Sequence, residues 1–348
     1  MTEHRVDRAE QYSNGGIIRE AANRAWADSL QIHPKASWRD HAVTAAALHD
    51  LHFPPVKWVV PNFVPEGLTL LCGRPKIGKS FAGLDIGLAV ATGGEAFGRA
   101  TERGEVLYAA LEDNHRRLQR RIDKLLSPST PWPAGLILTT SWRRLDKGGV
   151  TDIAEWISAA KTPRLVILDT LAGVKPIRTN SGYAEDYESL AQLHRLANDV
   201  GIGILVLHHT RKAEAEDPLD TISGTLGLAG CADTALVLAG TSQGLTLYVR
   251  GRDIEEAEHA VSFDKEQCRW VVVGAAAEVL MSDTRKVIQR VLKETPEPMG
   301  PTDIADATGL KENVVRQRLS GMSRDGEVRK VGRGLYTHPD HPVTFVSS

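Results

Sequence analysis

Apolar runs of strand length alternate with longer helix-like segments from Val56 to about Val273. The apolar runs are LTLLC, EVLYAAL, RLVILD, GILVLHH, TALVLAG, LTLYVRG and RWVVVG. Segments of helix length separate the first four: KSFAGLDIGLAVA, HRRLQRRIDKLL, VTDIAEWISAA and YAEDYESLAQLHRLANDV. This alternation predicts an α/β fold whose mostly parallel sheet is buried on both faces. The last three runs have short connections, which favour an antiparallel edge.

The pattern changes on both sides of this region and divides the chain into five parts: residues 1–55, 56–273, 274–282, 283–340 and 341–348. The first part is polar with one helix-like run, WRDHAVTAAALHDL, and is predicted to be a partly ordered arm. The second is the α/β core, the third a linker and the last a tail. In the fourth, three helical segments precede two short strands. That order is typical of a winged helix-turn-helix, with Gly309 in the turn before the third helix.

Composition excludes several classes of protein. The chain has 348 residues, 42% of them hydrophobic, which is enough for two domains with full cores. Its net charge of −2 argues against a uniformly basic nucleic-acid binder but leaves local basic patches open. Three scattered cysteines do not indicate a disulfide framework or a zinc site. With no signal-peptide core and no apolar run near the roughly 20 residues of a membrane helix, we expect a cytoplasmic protein that makes no membrane contact.

The stretch CGRPKIGKS joins an apolar strand to a helix. Gly73, Gly78, Lys79 and Ser80 fit G-x-x-x-x-G-K-[ST], in which backbone N–H groups at a helix N-terminus cradle phosphate. Lys79 would then reach the β- and γ-phosphates, and Ser80 would bind Mg²⁺. The alternative is a glycine-rich turn without a ligand, but the strand–turn–helix context favours a nucleoside triphosphate. The predicted ATP-binding residues are Gly73, Arg74, Pro75, Lys76, Ile77, Gly78, Lys79, Ser80 and Phe81.

Three other strands end in polar side chains that suit phosphate chemistry. LVILDT ends in Asp169, the position of a Walker-B acid that holds Mg²⁺. VLYAALEDN ends in Glu112, which can orient and deprotonate water, although a carboxylate there can also cap the next helix. LVLHHTRK ends in His208 and His209, and one imidazole can hydrogen-bond the γ-phosphate. Parallel strands end at one edge, so these residues are expected near the P-loop.

The stretch YVRGRDIEE places Arg250 and Arg252 two positions apart, on the same side of a late strand. Both can be solvated edge charges. The sharper interpretation is a pair of arginine fingers that neutralise charge on the transferring phosphoryl group. Because this strand lies late in the sheet, the fingers would reach a neighbouring subunit's ATP, which requires a ring or filament.

Together these motifs make the region from about Lys57 to Val273 resemble a RecA-fold P-loop ATPase of the RepA-like group, found in plasmids, phages and mobile elements. The matching segments are GRPKIGKS, ALEDNHRRLQRR, LVILDTLA, LHHTRK, SGTLGLAGCADT and GRDIEE. RepA-like proteins are hexameric replicative DNA helicases. The resemblance implies the following roles: Lys79 and Ser80 for phosphate and Mg²⁺, Glu112 as catalytic base, Asp169 as Walker-B acid, His209 as γ-phosphate sensor, and Arg250 with Arg252 as trans-acting fingers.

The resemblance also implies that single-stranded DNA passes through a central channel. Loops after the third and fourth core strands, GVKPIRTNSGYAED and RKAEAEDPLDTISG, would contact it. The second loop is acidic in its middle, which leaves Lys212 as its one suitable phosphate contact. The winged helix lies outside the minimal RepA pattern. From Lys311 to Arg333 it has seven basic and three acidic side chains, so it can bind duplex DNA or a protein partner.

The leading hypothesis is therefore an ATP-dependent DNA helicase or translocase. It would hydrolyse ATP at the subunit interfaces of a hexameric ring, in replication of a mobile element. The alternative is a RecA-fold DNA-binding ATPase that acts as a recombination mediator or regulator without unwinding. A motor requires a ring and DNA-stimulated hydrolysis, whereas a regulator requires neither.

Overall fold

A nine-stranded sheet with helices on both faces dominates the first part of the chain. The computed structural model describes residues 42–176, 183–211, 215, 217–223, 226–241 and 244–342. Contacts divide the chain into two units, Met1–Val273 and Gly274–Ser348. Each unit has its own hydrophobic core.

The first unit contains strands β1 Trp58–Val60, β2 Val64–Pro65, β3 Gly67–Gly73, β4 Glu95–Ala96, β5 Arg99–Ala100, β6 Glu105–Ala110, β7 Leu136–Thr139, β8 Pro163–Asp169, β9 Gly203–His209, β10 Thr234–Thr241, β11 Gly244–Gly251, β12 Ala257–Asp264 and β13 Arg269–Ala275. Strands β1 with β2, and β4 with β5, form small separate pairs. The other strands form the main sheet in the order β13-β12-β11-β10-β3-β9-β8-β6-β7.

The helices of the first unit are α1 Ala45–His49, α2 Lys79–Thr92, α3 His115–Leu125, α4 Gly149–Ala159, α5 Leu171–Val174, α6 Tyr183–Val200 and α7 Leu226–Cys231. Helices α2 and α3 contribute to the hydrophobic core on one face of the sheet. Helices α4 to α7 contribute to the core on the other face. Among the described residues, no helix combines the length and the apolar character needed to span a membrane.

The strands from β10 to β7 run parallel to one another, which confirms the predicted parallel sheet. Their side chains alternate between two apolar layers. In β8, Leu165 and Ile167 enter one core, while Val166 and Leu168 enter the other. Helices cover both faces, so the central strands read as continuous apolar runs.

The sheet ends on one side in an antiparallel extension. Strand β11 is antiparallel to β10, and β12 is antiparallel to β11. Residues 265–268 join β12 to β13, a turn too short for a parallel crossover. The antiparallel edge was predicted, but β12 was missed. Its inward Val261 and Phe263 alternate with an exposed Ser262, and this half-buried pattern gives a weak sequence signal.

The N-terminal arm is described only from residue 42. Residues 42–55 are exposed and contain the short helix α1, which Thr44 caps by accepting the Ala47 N–H at 3.1 Å. Most of the predicted arm therefore lies outside the described residues.

The second unit contains helices α8 Ala276–Glu294, α9 Pro301–Thr308 and α10 Glu312–Arg324, followed by strands β14 Arg329–Gly332 and β15 Leu335–Thr337. The two strands pair antiparallel, so the predicted three helices and hairpin are present. Gly309 ends α9 with a left-handed φ of 71°, in the predicted turn. The prediction of a linker over residues 274–282 was wrong, since most of it belongs to α8. The stretch AAAEVLMS has good helix formers that the linker interpretation ignored.

Candidate functional site

A five-residue loop, residues 74–78, leaves the end of β3 and leads into α2. Lys76 and Gly78 have positive φ angles of 65° and 110°. Left-handed residues in such a loop turn backbone N–H groups into an anion-binding concavity. A Cβ on Gly73 would lie 2.9 Å from the Leu238 carbonyl oxygen, so this position also needs glycine. The loop therefore has the backbone of a phosphate cradle at a helix N-terminus.

Lys79 begins α2 and is buried. Its Nζ donates to the carbonyl oxygens of Gly73 at 2.7 Å and Arg74 at 3.1 Å, and lies 3.2 Å from His209 Nδ1. An ammonium has only donors, so His209 Nδ1 accepts and its ring proton is assigned to Nε2. Burial lowers the pKa of Lys79, and nearby carboxylates, including Asp169, oppose this shift. A buried ammonium of this kind suits an anionic ligand.

Asp169 ends β8 and is buried beside Ser80 and Tyr108. The Tyr108 hydroxyl donates to Asp169 Oδ2 at 2.8 Å. Burial raises the pKa of Asp169, whereas the hydroxyls of Tyr108 and Ser80 favour its charged form. Sequence reasoning missed Tyr108, because a tyrosine inside an apolar strand carries no signal that its hydroxyl reaches a carboxylate.

The predicted Mg²⁺ ligands fit a hard cation. Asp169 Oδ1 is buried and has no hydrogen-bond partner among the described residues. Ser80 supplies a hydroxyl beside it. Magnesium prefers oxygen ligands and is usually held by one or two protein groups together with substrate phosphates. In the described ranges no cluster of three or more His, Cys, Asp or Glu side chains could hold a metal, so a cation here depends on phosphate oxygens.

Glu112 follows β6 and points its carboxylate toward the same edge. Its Oε1 accepts the Thr170 hydroxyl at 2.8 Å and lies 3.8 Å from His209 Nε2. The alternative role as a helix cap falls to Asn114, which accepts the Arg117 N–H at 2.9 Å. Asp113 pairs with arginines of α3, while the Glu112 side chain is 56% exposed and open to solvent.

The two histidines of β9 face opposite sides of the sheet. His209 faces Lys79 and Glu112, as expected for one member of the pair. His208 Nε2 lies 2.8 Å from the Ser223 carbonyl oxygen, in the loop that follows. The edge of the sheet thus brings together Lys79, Ser80, Glu112, Asp169 and His209.

Arg250 and Arg252 lie apart from this cluster and do not share a strand. Arg250 is in β11 and binds Asp217 at 2.8 Å and Glu256 at 2.9 Å. Arg252 follows the end of β11 and binds Asp233 at 3.2 Å. The prediction that both arginines project from one side of one strand was therefore wrong, because β11 ends at Gly251.

Arg252 lies level with the beginning of β3. Its N–H donates to the Asp233 carbonyl oxygen, and the Asp233 N–H donates to that of Leu68, each at 2.9 Å. The P-loop follows Gly73, so about 17 Å of strand separates the two levels. Arg252 is consequently far from Lys79 of its own subunit, and its guanidinium is 59% exposed.

The predicted DNA-contacting loops lie partly outside the described residues, and Lys212 is among those outside. The described ends of the second loop fold back on each other. Arg211 N–H donates to the Thr221 carbonyl oxygen at 2.6 Å, and Ser223 N–H donates to that of His209 at 3.0 Å. This loop therefore starts directly beside the histidine of the site.

Two solved structures are similar to this chain. One is an isolated ATPase domain, with 12% identity, coverage of 59% of this chain and 84% of that chain, and a TM-score of 0.47. The other is a KaiC-like protein from the hyperthermophilic archaeon Pyrococcus horikoshii OT3, with 15% identity, coverage of 63% and 99%, and a TM-score of 0.42. No curated protein sequence matches.

The sequence profile of one protein family covers residues 34–215, just over half of the chain. Its description is "AAA domain". The matched range contains the P-loop, Glu112, Asp169 and His209, the residues that the sheet brings to one edge. With this match and this arrangement of phosphate-binding groups, the chain belongs to the AAA domain family and carries a P-loop ATPase core.

Proposed function

We propose that the protein is a RecA-fold, RepA-like DNA helicase or translocase driven by ATP hydrolysis. It would act as a hexameric ring in cytoplasmic replication of a mobile element. The observation that carries the proposal is the convergence of Lys79, Ser80, Glu112, Asp169 and His209 on one edge of the sheet. A winged-helix regulator with a decayed ATPase would not need all five positions filled.

The site supports a division of labour among these residues. Bound ATP with Mg²⁺ supplies the phosphoryl group that passes to water. Lys79 would exchange its carbonyl partners, Gly73 and Arg74, for the β- and γ-phosphates, which suit its charge better. Ser80 and Asp169 would hold the cation. Glu112 would take the proton of the attacking water, since its carboxylate is solvent-accessible and turned toward the same edge.

His209 is the residue best placed to sense the γ-phosphate. Its ring lies between Lys79, at 3.2 Å, and Glu112, at 3.8 Å. If Lys79 turns to a phosphate, His209 loses its hydrogen-bond donor and must find another. Strand β9 leads directly into the loop proposed to contact DNA, so a change at His209 has a short path to that loop.

Arg252 is the stronger candidate for a finger that acts in trans. It is more exposed than Arg250, whose guanidinium is 37% exposed, and it has one carboxylate partner. Arg250 is held by Asp217 and Glu256 and lies over the Tyr248 ring at 5.2 Å. The long separation of Arg252 from its own P-loop supports a role in a neighbouring subunit's site.

The second unit is proposed to be a winged helix that binds duplex DNA through α10 and the β14–β15 hairpin. Among the described residues, Lys311, Arg324, Lys330 and Arg333 are exposed and form no ion pair there. Arg329 donates to the carbonyl oxygens of Pro339 at 2.7 Å and His341 at 3.2 Å, which makes it a poor candidate for a phosphate contact.

Two measurements separate a motor from a regulator. A helicase should form a ring in gel filtration with ATP and displace a strand from a forked duplex. A recombination mediator or regulator should hydrolyse ATP without strand displacement. ATP turnover with DNA stimulation but no unwinding would select the second function.

Lys79→Ala is expected to abolish ATP binding and turnover. The change removes a charge-assisted phosphate contact worth about 1.5–3 kcal/mol. Binding should be measured by calorimetry with Mg·ATP. Lys161→Ala, an equal loss of charge in the exposed turn before β8, is the matched control and should behave as wild type. Near-normal turnover by Lys79→Ala would refute the assignment of the P-loop.

Glu112→Gln is expected to bind ATP normally but to hydrolyse it about 10²–10⁴ times more slowly, as a missing general base typically does. The amide oxygen can still accept the Thr170 hydroxyl, so the loop should keep its conformation. Single-turnover hydrolysis and equilibrium binding are the measurements. Glu155→Gln, on the exposed side of α4, serves as control. If binding fails together with turnover, Glu112 has a structural role.

Arg252→Ala is expected to be inactive alone and partly rescued when mixed with Lys79→Ala. A subunit that lacks its own P-loop lysine can still donate Arg252 to a neighbour, so some interfaces in a mixed ring are complete. ATPase activity should be measured across mixing ratios, with subunit exchange checked by two affinity tags. Exchange without recovery of activity would assign Arg252 to its own subunit.

Lys330→Ala combined with Arg333→Ala is expected to weaken duplex binding by the full chain and to flatten its salt dependence. The slope of log K against log salt should fall by about 0.9 for each phosphate that the variant no longer neutralises. Fluorescence anisotropy at several salt concentrations measures both effects. The control, Lys286→Ala with Arg290→Ala, removes the same charge from α8. Equal effects of the two pairs would point to a non-specific charge effect.

A further inference from the structure

The last strand of the sheet contacts the P-loop, nearly two hundred positions away in the sequence. We infer that Trp270, in β13, is a positioning residue that holds the P-loop in its phosphate-binding form. The inference rests on the proposed function, because it presumes that the loop binds ATP. No motif marks this tryptophan.

Trp270 is 3% exposed and its indole reaches the residue before Lys79. The indole Nε1–H donates to the Gly78 carbonyl oxygen at 3.2 Å. The same oxygen accepts the first helical hydrogen bond, from the Ala82 N–H at 3.1 Å. Two donors therefore fix the orientation of the Gly78 carbonyl.

That orientation has a consequence for the phosphate cradle. A trans peptide unit is planar, and its C=O and N–H point in opposite directions. Holding the Gly78 oxygen toward Trp270 turns the Lys79 N–H away from Trp270. Backbone N–H groups at a helix N-terminus are the ones that bind phosphate. Trp270 therefore acts on the cradle without touching the nucleotide.

The indole also covers Gly78 from the outside. A Cβ at this position would lie 3.1 Å from Trp270 Cζ2 and 3.2 Å from its Nε1. Gly78 has a φ of 110°, which side chains rarely adopt. Both the backbone angle and the close indole require glycine here, and the indole limits the outward movement of the loop.

An aromatic cluster, formed by Trp270, Phe263 and Phe81, extends this support along the site. Ring centroids are 5.1 Å apart between Trp270 and Phe263, and 5.8 Å between Phe263 and Phe81. The Arg121 guanidinium lies 5.2 Å from the Phe81 ring and pairs with Asp113, the neighbour of Glu112. The cluster therefore flanks the P-loop on one side and the loop with Glu112 on the other.

A purely structural role for Trp270 makes a different prediction. As a core residue it would stabilise the fold, and its loss would not change ATP affinity in a folded protein. The chain offers a matched control in Trp142, whose Nε1–H also donates to a glycine carbonyl oxygen, that of Gly149, at 3.0 Å. Trp142 contributes to the core on the other face of the sheet.

The test compares Trp270→Phe with Trp142→Phe in the full chain. Each variant loses one indole hydrogen bond and keeps an aromatic ring. Trp270→Phe should raise the Kd for Mg·ATP about threefold to tenfold, as the loss of one hydrogen bond implies. Trp142→Phe should leave the Kd unchanged. Addition of Mg·ATP should change the tryptophan fluorescence of the wild type and of Trp142→Phe, but not that of Trp270→Phe.

The possible outcomes separate this inference from the proposed function. Equal ATP affinity and an equal fluorescence response in both variants would overturn the role of Trp270 alone. Absence of ATP binding by the wild-type chain would overturn the proposed function and this inference with it. If Trp270→Phe does not fold, Phe263→Leu loosens the indole and leaves its N–H in place. Weaker ATP binding by Phe263→Leu supports the inference, and unchanged binding refutes it.

Discussion

The carboxyl ends of the parallel strands meet at a single edge of the sheet, and the whole candidate site depends on this constraint. Strands β3, β6, β8 and β9 end in the P-loop, Glu112, Asp169 and His209. Their register brings Lys79 within 3.2 Å of His209, 130 positions away. A shift of one residue in any strand would turn its polar end toward the opposite face. Two apolar cores, one on each face, make such a shift costly.

A buried ammonium sits at the centre of that edge. Lys79 is taken out of water, which lowers its pKa, and two backbone carbonyls with one imidazole replace its hydration. The carboxylates of Asp169 and Glu112 lie near it without pairing directly. Lysine in this setting is satisfied but not saturated with negative charge. A polyphosphate would supply that charge, which explains why a buried lysine and a nucleotide site coincide.

The antiparallel extension gives the sheet a second function. Strands β11 to β13 add no catalytic side chain to the P-loop edge of their own subunit. Their contributions are Trp270, which contacts the P-loop from outside, and Arg252, which lies level with the opposite end of β3. One part of the extension thus supports the local site, while the other is oriented for a different subunit. Both follow from the reversal of strand direction after β10.

The sequence by itself determined which strands carry the candidate chemistry: the P-loop, Glu112, Asp169 and the histidine pair were identifiable because each follows or ends an apolar strand. It also determined the parallel core and the three helices and hairpin of the second unit, since apolar periodicity is local. Only the tertiary structure decided which histidine faces Lys79, that Tyr108 binds Asp169, and that Trp270 reaches Gly78. These contacts join residues far apart in the chain, and a side chain's partner across a sheet depends on register and packing, which no local pattern encodes.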